Sequence, residues 1–224
     1  MQIKVNLQIF IFIIIFLLTN QILLYAILML FAFIHEIGHL LAGLILKLKP
    51  NLIRITPFGL SITFEGYGEK VHNNINKKRL LIALAGPLTN IILVIIFMLI
   101  PDWNFIVSKE ILVYSNLLIA MFNLMPIYPL DGGRILESIL KYKMNNIKSV
   151  EITNKVSNLL AIILTILASI FVFYIKNIAV FFVILYLWYL IVKENERFRL
   201  LKKAYNVIEN KYNMCWKLIK LIVN

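Results

Sequence analysis

A single cysteine, Cys215, is all the chain holds, so no internal disulfide can form and nothing calls for an oxidising compartment. It reads as an incidental thiol, not a catalytic one. Acidic residues are scarce as well, 11 against 23 basic ones, for a formal net charge of +12. No internal repeat and no low-complexity segment occurs in the 224 residues, which excludes repeat and linker architectures. The opening MQIKVNLQIFIFIIIFLLTNQ lacks a small-residue cleavage site, and a second apolar run begins at once, so a retained first span is expected instead of a removed signal peptide. What the chain has in excess is hydrophobicity: 61% of residues and a mean hydropathy of +0.87, against roughly 45–50% apolar usage in soluble domains. An integral membrane protein is expected.

Apolar runs suited to a ~30 Å hydrocarbon layer fall at about 5–19, 22–46, 80–100, 111–130, 156–175 and 178–192. They predict an all-α membrane protein of about six transmembrane helices forming one domain over 1–192, followed by a basic amphipathic tail over 193–224. With the amino terminus on the cytoplasmic side, every Lys and Arg except Lys109 and Lys176 falls on that same side, as positive residues do in short cytoplasmic loops. Both termini are then cytoplasmic. Topology accounts for the charge, and nucleic acid loses its case as a partner.

Two pieces lie outside the spans. After the second one, Leu60, Ile62 and Phe64 alternate with Ser61, Thr63 and Glu65 between Gly59, Gly66 and Gly68, the pattern of a short membrane-associated strand or hairpin. In the tail, Phe198, Leu201, Tyr205, Ile208, Tyr212, Cys215 and Ile219 recur three and four apart, giving one apolar helical face. That face suits an anionic membrane surface, another protein, or the chain's own body.

Chemistry concentrates in FAFIHEIGHLLAGL, Phe31–Leu44. His35 and His39 are four apart, so on a helix they stack one turn over the other and can grip one ion; Glu36 beside them can reach a water on that ion. This is the H-E-x-x-H arrangement of zinc peptidases. By itself it leaves a proton relay or ion path in a transporter open. A catalytic zinc takes three protein ligands, and the remaining candidate is Asp131 in NLMPIYPLDGGR. Pro126 and Pro129 interrupt helical bonding, Gly132 and Gly133 permit close backbone approach, and broken backbone at membrane depth is tolerated only when buried or lining a cavity. The competing role for Asp131 is to cap the following helix. His72 in a basic loop reads as solvated, Glu137 as a partner of Arg134 at helical spacing, and Trp103 and Trp188 as belt aromatics near span ends.

HEIGH, the segment AGPLTN at Ala85–Asn90 and NLMPIYPLDGG together resemble the site-2 protease family of intramembrane zinc metalloproteases, peptidase family M50. The match runs over about 22–139, and the compact order of spans is most similar to the stage IV sporulation proteases that process a sigma-factor precursor. The resemblance implies one Zn2+ held by His35, His39 and Asp131, with Glu36 as the base. It further implies that Asn123 holds the substrate backbone, and that Gly86 and Asn90 stand beside the site for helix packing. Those sporulation proteases carry a nucleotide-sensing CBS domain, for which the residues after Val192 are too few, and no PDZ-sized insertion exists. The expected substrate is a membrane-associated protein cut near the cytoplasmic face, with Leu60, Ile62 and Phe64 lying on a strand that pairs with it; a plain connecting loop is the alternative there. A sporulation sigma-factor precursor at the membrane around the forespore, anti-sigma factors, or signal-peptide remnants all fit the family. A metal or proton transporter is the alternative from another class. Regulatory or inhibitory membrane proteins and self-association are left open as partners beside the lipid bilayer.

Overall fold

Apolar residues uninterrupted by proline between Gln8 and Ile45 build two helices, α1 (Gln8–Leu18) and α2 (Ile22–Ile45). The computed structural model describes residues 2–56, 59–64, 73–101, 107–175 and 178–223. Both helices end in the same way: Asn20 (φ 56°) and Lys47 (φ 58°) take left-handed backbone. The following amides then reach back, Gln21 N–H to the Phe16 carbonyl at 2.8 Å and Leu48 N–H to that of Gly43 at 2.9 Å. These are Schellman closures that satisfy orphan carbonyls at the helix ends.

The chain then forms the strands β2 (Pro50–Thr56) and β3 (Gly59–Phe64), an antiparallel pair. The expected hairpin is larger than foreseen, because Gln2–Val5 forms a strand, β1, that pairs in parallel with β2. The order is β1-β2-β3, so β3 lies at an edge. Four further helices precede the last: α3 (Asn73–Leu99), α4 (Lys109–Leu124), α5 (Asp131–Lys143) and α6 (Asn146–Ile175). A last one, α7 (Ile178–Val223), runs 46 residues without a break, past the residue-192 boundary where the spans were expected to end. Glu65, Gly66, Gly68, Lys70, His72, Trp103, Lys176 and Asn177 lie outside the described residues.

The fold is therefore mainly helical with a small sheet. Three described helices are long and apolar enough to cross a membrane, over Ile22–Ile45, Ile75–Leu99 and Asn146–Ile170, with Gln8–Leu18 apolar but shorter. Six spans were expected. The fourth, 111–130, divides because Met125 precedes a proline and is held extended (ψ 132°), which stops α4 at Leu124. Its 16 residues rise about 24 Å, short of the ~30 Å hydrocarbon layer. Lipid-facing character is plain elsewhere: Leu30, Leu41, Ile92, Ile96, Ile163 and Ile166 stand exposed on these helices.

α3 packs against α2, α4 and α5, and so occupies the centre of the bundle, while α7 packs along α6. Ile127, Ala161, Leu187 and Ile191 form one buried cluster joining the broken segment to α6 and α7. Trp188 packs against that cluster, and its Nε1–H donates to Thr165 Oγ1 at 2.8 Å, so it ties α6 to α7. Ile62 and Phe64 of β3 are buried with Ile82 of α3, which seats the sheet on the helices.

Candidate metal centre

On α2, the four-residue spacing puts His35 and His39 on one face, their rings 4.8 Å apart and nearly perpendicular. That face turns toward the middle of α3, where the residues are small. A Cβ on Gly86 would strike the Nε2 atoms of both histidines, so only glycine lets α3 pass beneath the two rings. The next residue is Pro87, buried within α3.

Asp131 arrives from the broken segment. Pro126 and Pro129 prevent α4 from continuing, and the peptide between Tyr128 and Pro129 is cis. The loop is tied at several points: Ile127 is fully buried, Leu130 N–H donates to the Ile127 carbonyl at 2.8 Å, and Tyr128 N–H donates to Ser157 Oγ on α6 at 2.8 Å. α5 then starts at Asp131 itself. A side chain on Gly132 would meet the carbonyls of Leu124 and Met125, so this residue is small for close approach and not for flexibility. The capping alternative for Asp131 is not what the helix shows. Leu130 occupies the N-cap position, with no side-chain cap hydrogen bond, and the Asp131 carboxylate is turned to the histidines.

His35, His39 and Asp131 are all buried, with relative exposures of 3%, 3% and 5%. Asp131 Oδ2 lies 2.9 Å from His35 Nε2 and 3.0 Å from His39 Nε2, and the two Nε2 atoms are 3.1 Å apart. The outer ring nitrogens are already committed. His39 Nδ1–H donates to the Ile82 carbonyl at 2.6 Å, an atom that can only accept, and His35 Nδ1 faces Asn90 Oδ1 at 2.5 Å. With protons on both Nδ1 atoms, the two Nε2 atoms bring lone pairs to a carboxylate oxygen. Three acceptors this close in a buried site repel one another unless a cation stands among them. Ligands placed tetrahedrally at about 2.0–2.1 Å from zinc are roughly 3.3 Å apart, which the observed triangle nearly matches. The donor set fits a metal ion, and within the described residues it is the His/Asp group that can hold one. Arg134 Nη1 stands 3.8 Å from the other carboxylate oxygen, Oδ1.

Glu36 is partly exposed on the same helix and lies within electrostatic reach of His39, Asp131, Arg134 and His35. Asn123 is half-buried near the end of α4, and its Nδ2 donates to the Ile119 carbonyl at 3.1 Å. Ile62 and Phe64 turn their side chains into the core, leaving the main chain as what β3 can offer; the side chain of Leu60 lies outside the described residues. Glu137 pairs with Lys141 one turn along α5.

Sequence reasoning assigned Asn90 to packing, yet its amide contacts His35. It also missed Asn116 entirely. Asn90 Nδ2 donates to Asn116 Oδ1 at 2.9 Å, and Asn116 Nδ2 donates to the Leu112 carbonyl at 2.9 Å; both asparagines are fully buried. The available signal was an amide midway along the apolar helix α4, a costly residue at membrane depth.

Comparison with known proteins finds a family and several relatives. The profile of peptidase family M50 matches residues 23–108 and 100–167. A zinc metalloprotease of Methanocaldococcus jannaschii is 32% identical over 137 residues, 58% of this chain and 38% of the relative. Stage IV sporulation protein FB of Bacillus subtilis is 32% identical over 111 residues, 49% of this chain and 37% of the relative. The chain thus matches well under half the length of these curated relatives. The solved structure of a site-2 protease from Methanocaldococcus jannaschii superposes with a TM-score of 0.66 at 26% identity, covering 86% of this chain and 89% of that one. With its matched segments taking in both the histidine helix and the aspartate that meets it, the chain belongs to peptidase family M50.

Proposed function

We propose that the chain is an intramembrane zinc metalloendopeptidase that hydrolyses membrane-associated proteins near the cytoplasmic face. The observation that carries the reading is the buried triangle of His35 Nε2, His39 Nε2 and Asp131 Oδ2, three acceptors within 3.1 Å of one another. These three residues would hold one zinc ion. When bound, zinc supplies Lewis acidity, polarising the scissile carbonyl and lowering the pKa of water.

The protein's own groups supply the rest. Glu36 accepts the proton of the attacking water and passes it to the leaving amine, a transfer that needs a carboxylate close to the metal but not bound to it. A helical substrate keeps its carbonyls in hydrogen bonds, so it must unwind locally before attack. The edge of β3 is suited to pair with the unwound segment through main-chain hydrogen bonds, and Ile82 supports its location: its side chain packs under Ile62 and Phe64 while its carbonyl holds His39. Asn123 adds an amide to hold the substrate backbone. α1, α2, α3, α4 with its broken extension, α6 and α7 serve as six spans, and the basic residues favour both termini in the cytoplasm. His39 precedes Lys47 by eight residues, so the site lies about 12 Å below that interface and takes water from it. Likeness to a stage IV sporulation protein supports a membrane-tethered sigma-factor precursor as the substrate.

The test is co-expression of the chain with tethered precursors, beside the Glu36→Gln form. Expected is cleavage by the native protein and none by the variant, with zinc retained in both. Cleavage that survives in the variant would remove Glu36 from the mechanism, and metal-dependent flux in vesicles without cleavage would favour transport.

A further inference from the structure

We propose that Asn116 of α4 is a positioning residue of the metal centre, acting through Asn90 to fix the tautomer and ring orientation of His35. The inference rests on the zinc reading above and adds a residue to it. Its starting point is the Leu112 carbonyl, which can only accept. Asn116 must therefore turn its NH2 toward Leu112, at 2.9 Å, and this turns its Oδ1 toward Asn90. Asn90 must then donate through Nδ2, at 2.9 Å, and present Oδ1 to His35 Nδ1 at 2.5 Å. Each amide has one orientation that satisfies its neighbour, and the backbone of α4 selects it. The proton of His35 is thereby held on Nδ1, and the lone pair of Nε2 is turned toward Asp131 and His39. Both asparagines are fully buried, so no solvent can substitute for a lost partner.

Removing Asn116 frees the Asn90 amide to flip. A flipped Asn90 would bring an N–H against Nδ1, favouring the lone pair there and the proton on Nε2, where the metal must bind. Partners of metal-ligating histidines typically alter affinity by about 10–100-fold. Asn116→Leu removes both hydrogen bonds while keeping the branching of the side chain. Asn116→Asp, uncharged in so apolar a place, keeps an acceptor for Asn90 and a donor for Leu112. Thr165→Val removes a different, half-buried hydrogen bond, the one to Trp188 between α6 and α7, and serves as control.

The measurement is the zinc dissociation constant of the purified full chain in lipid nanodiscs, by competition with a fluorescent chelator, together with thermal melting of the zinc-stripped protein. Expected is zinc affinity about 10–100-fold weaker for Asn116→Leu, restored to within a few-fold in Asn116→Asp, and unchanged for Thr165→Val. Should Asn116→Leu fail to fold, Asn116→Ser takes its place with the same expectation, because its short hydroxyl can reach Leu112 but not Asn90. Native affinity in Asn116→Leu, or an equal loss in Thr165→Val, would overturn the proposal while leaving the zinc reading intact. Failure of the native chain itself to bind zinc would overturn both.

Discussion

Each histidine of the cluster spends Nδ1 on the protein and turns Nε2 toward Asp131, and this division is what suits the cluster to a cation. Asp131→Ala would remove the anionic member of the proposed ligand set and leave two neutral ones. Zinc affinity should fall by more than about 100-fold, beyond the range typical of outer partners, and metal analysis after dialysis checks it. Gly86→Ala places a methyl group against both Nε2 atoms. It should lose zinc to a comparable degree although it alters no ligand, and a chelator competition would reveal retention if the rings can yield. The pairing of His35 and His39 was legible in the sequence because helical spacing alone puts them on one face. Asp131 was legible because few acidic residues lie in apolar surroundings. Asn116 and the Ile82 carbonyl were not, since their part depends on how α3 and α4 pack against α2, which no local pattern encodes.

Among the elements, the segment between α4 and α5 decides where Asp131 stands. Ser157→Ala leaves the half-buried Tyr128 N–H without its acceptor. The expected cost is about 1–3 kcal/mol of stability, read as a lowered melting temperature of the zinc-stripped protein. Ile127→Ala opens a hole between the loop and α6–α7 and should cost about 2–5 kcal/mol. If neither variant shifts the melting curve, the loop is not the rigid anchor described. Pro126 and Pro129 announced the break, but its anchoring by Ser157 was hidden within an ordinary run of hydroxyl residues. Thr153 Oγ1–H and Ser157 Oγ–H each donate to a carbonyl one turn back, as hydroxyls in apolar helices do. The strand β1 was also unforeseen: Gln2 and Lys4 alternate with Ile3 and Val5 over only four residues, too few to mark a strand before pairing with β2 is seen.

For the molecule as a whole, hydropathy gave the membrane class and the helical content, while span limits depended on where backbone could or could not continue. Continuity of α7 into the basic tail was invisible to hydropathy, which changes sharply near Lys193 although the helix does not. The sole cysteine offers a topology test. With a cytoplasmic tail, Cys215 should react with a membrane-impermeant maleimide only after permeabilisation; labelling in intact cells would reverse the orientation.

The most direct test of the central claim is anomalous diffraction at the zinc edge from crystals of the native chain. One strong peak is expected, bounded by His35 Nε2, His39 Nε2 and Asp131 Oδ2 at about 2.0–2.2 Å from each. A zinc peak elsewhere, or none in protein that cleaves its substrate, would contradict it.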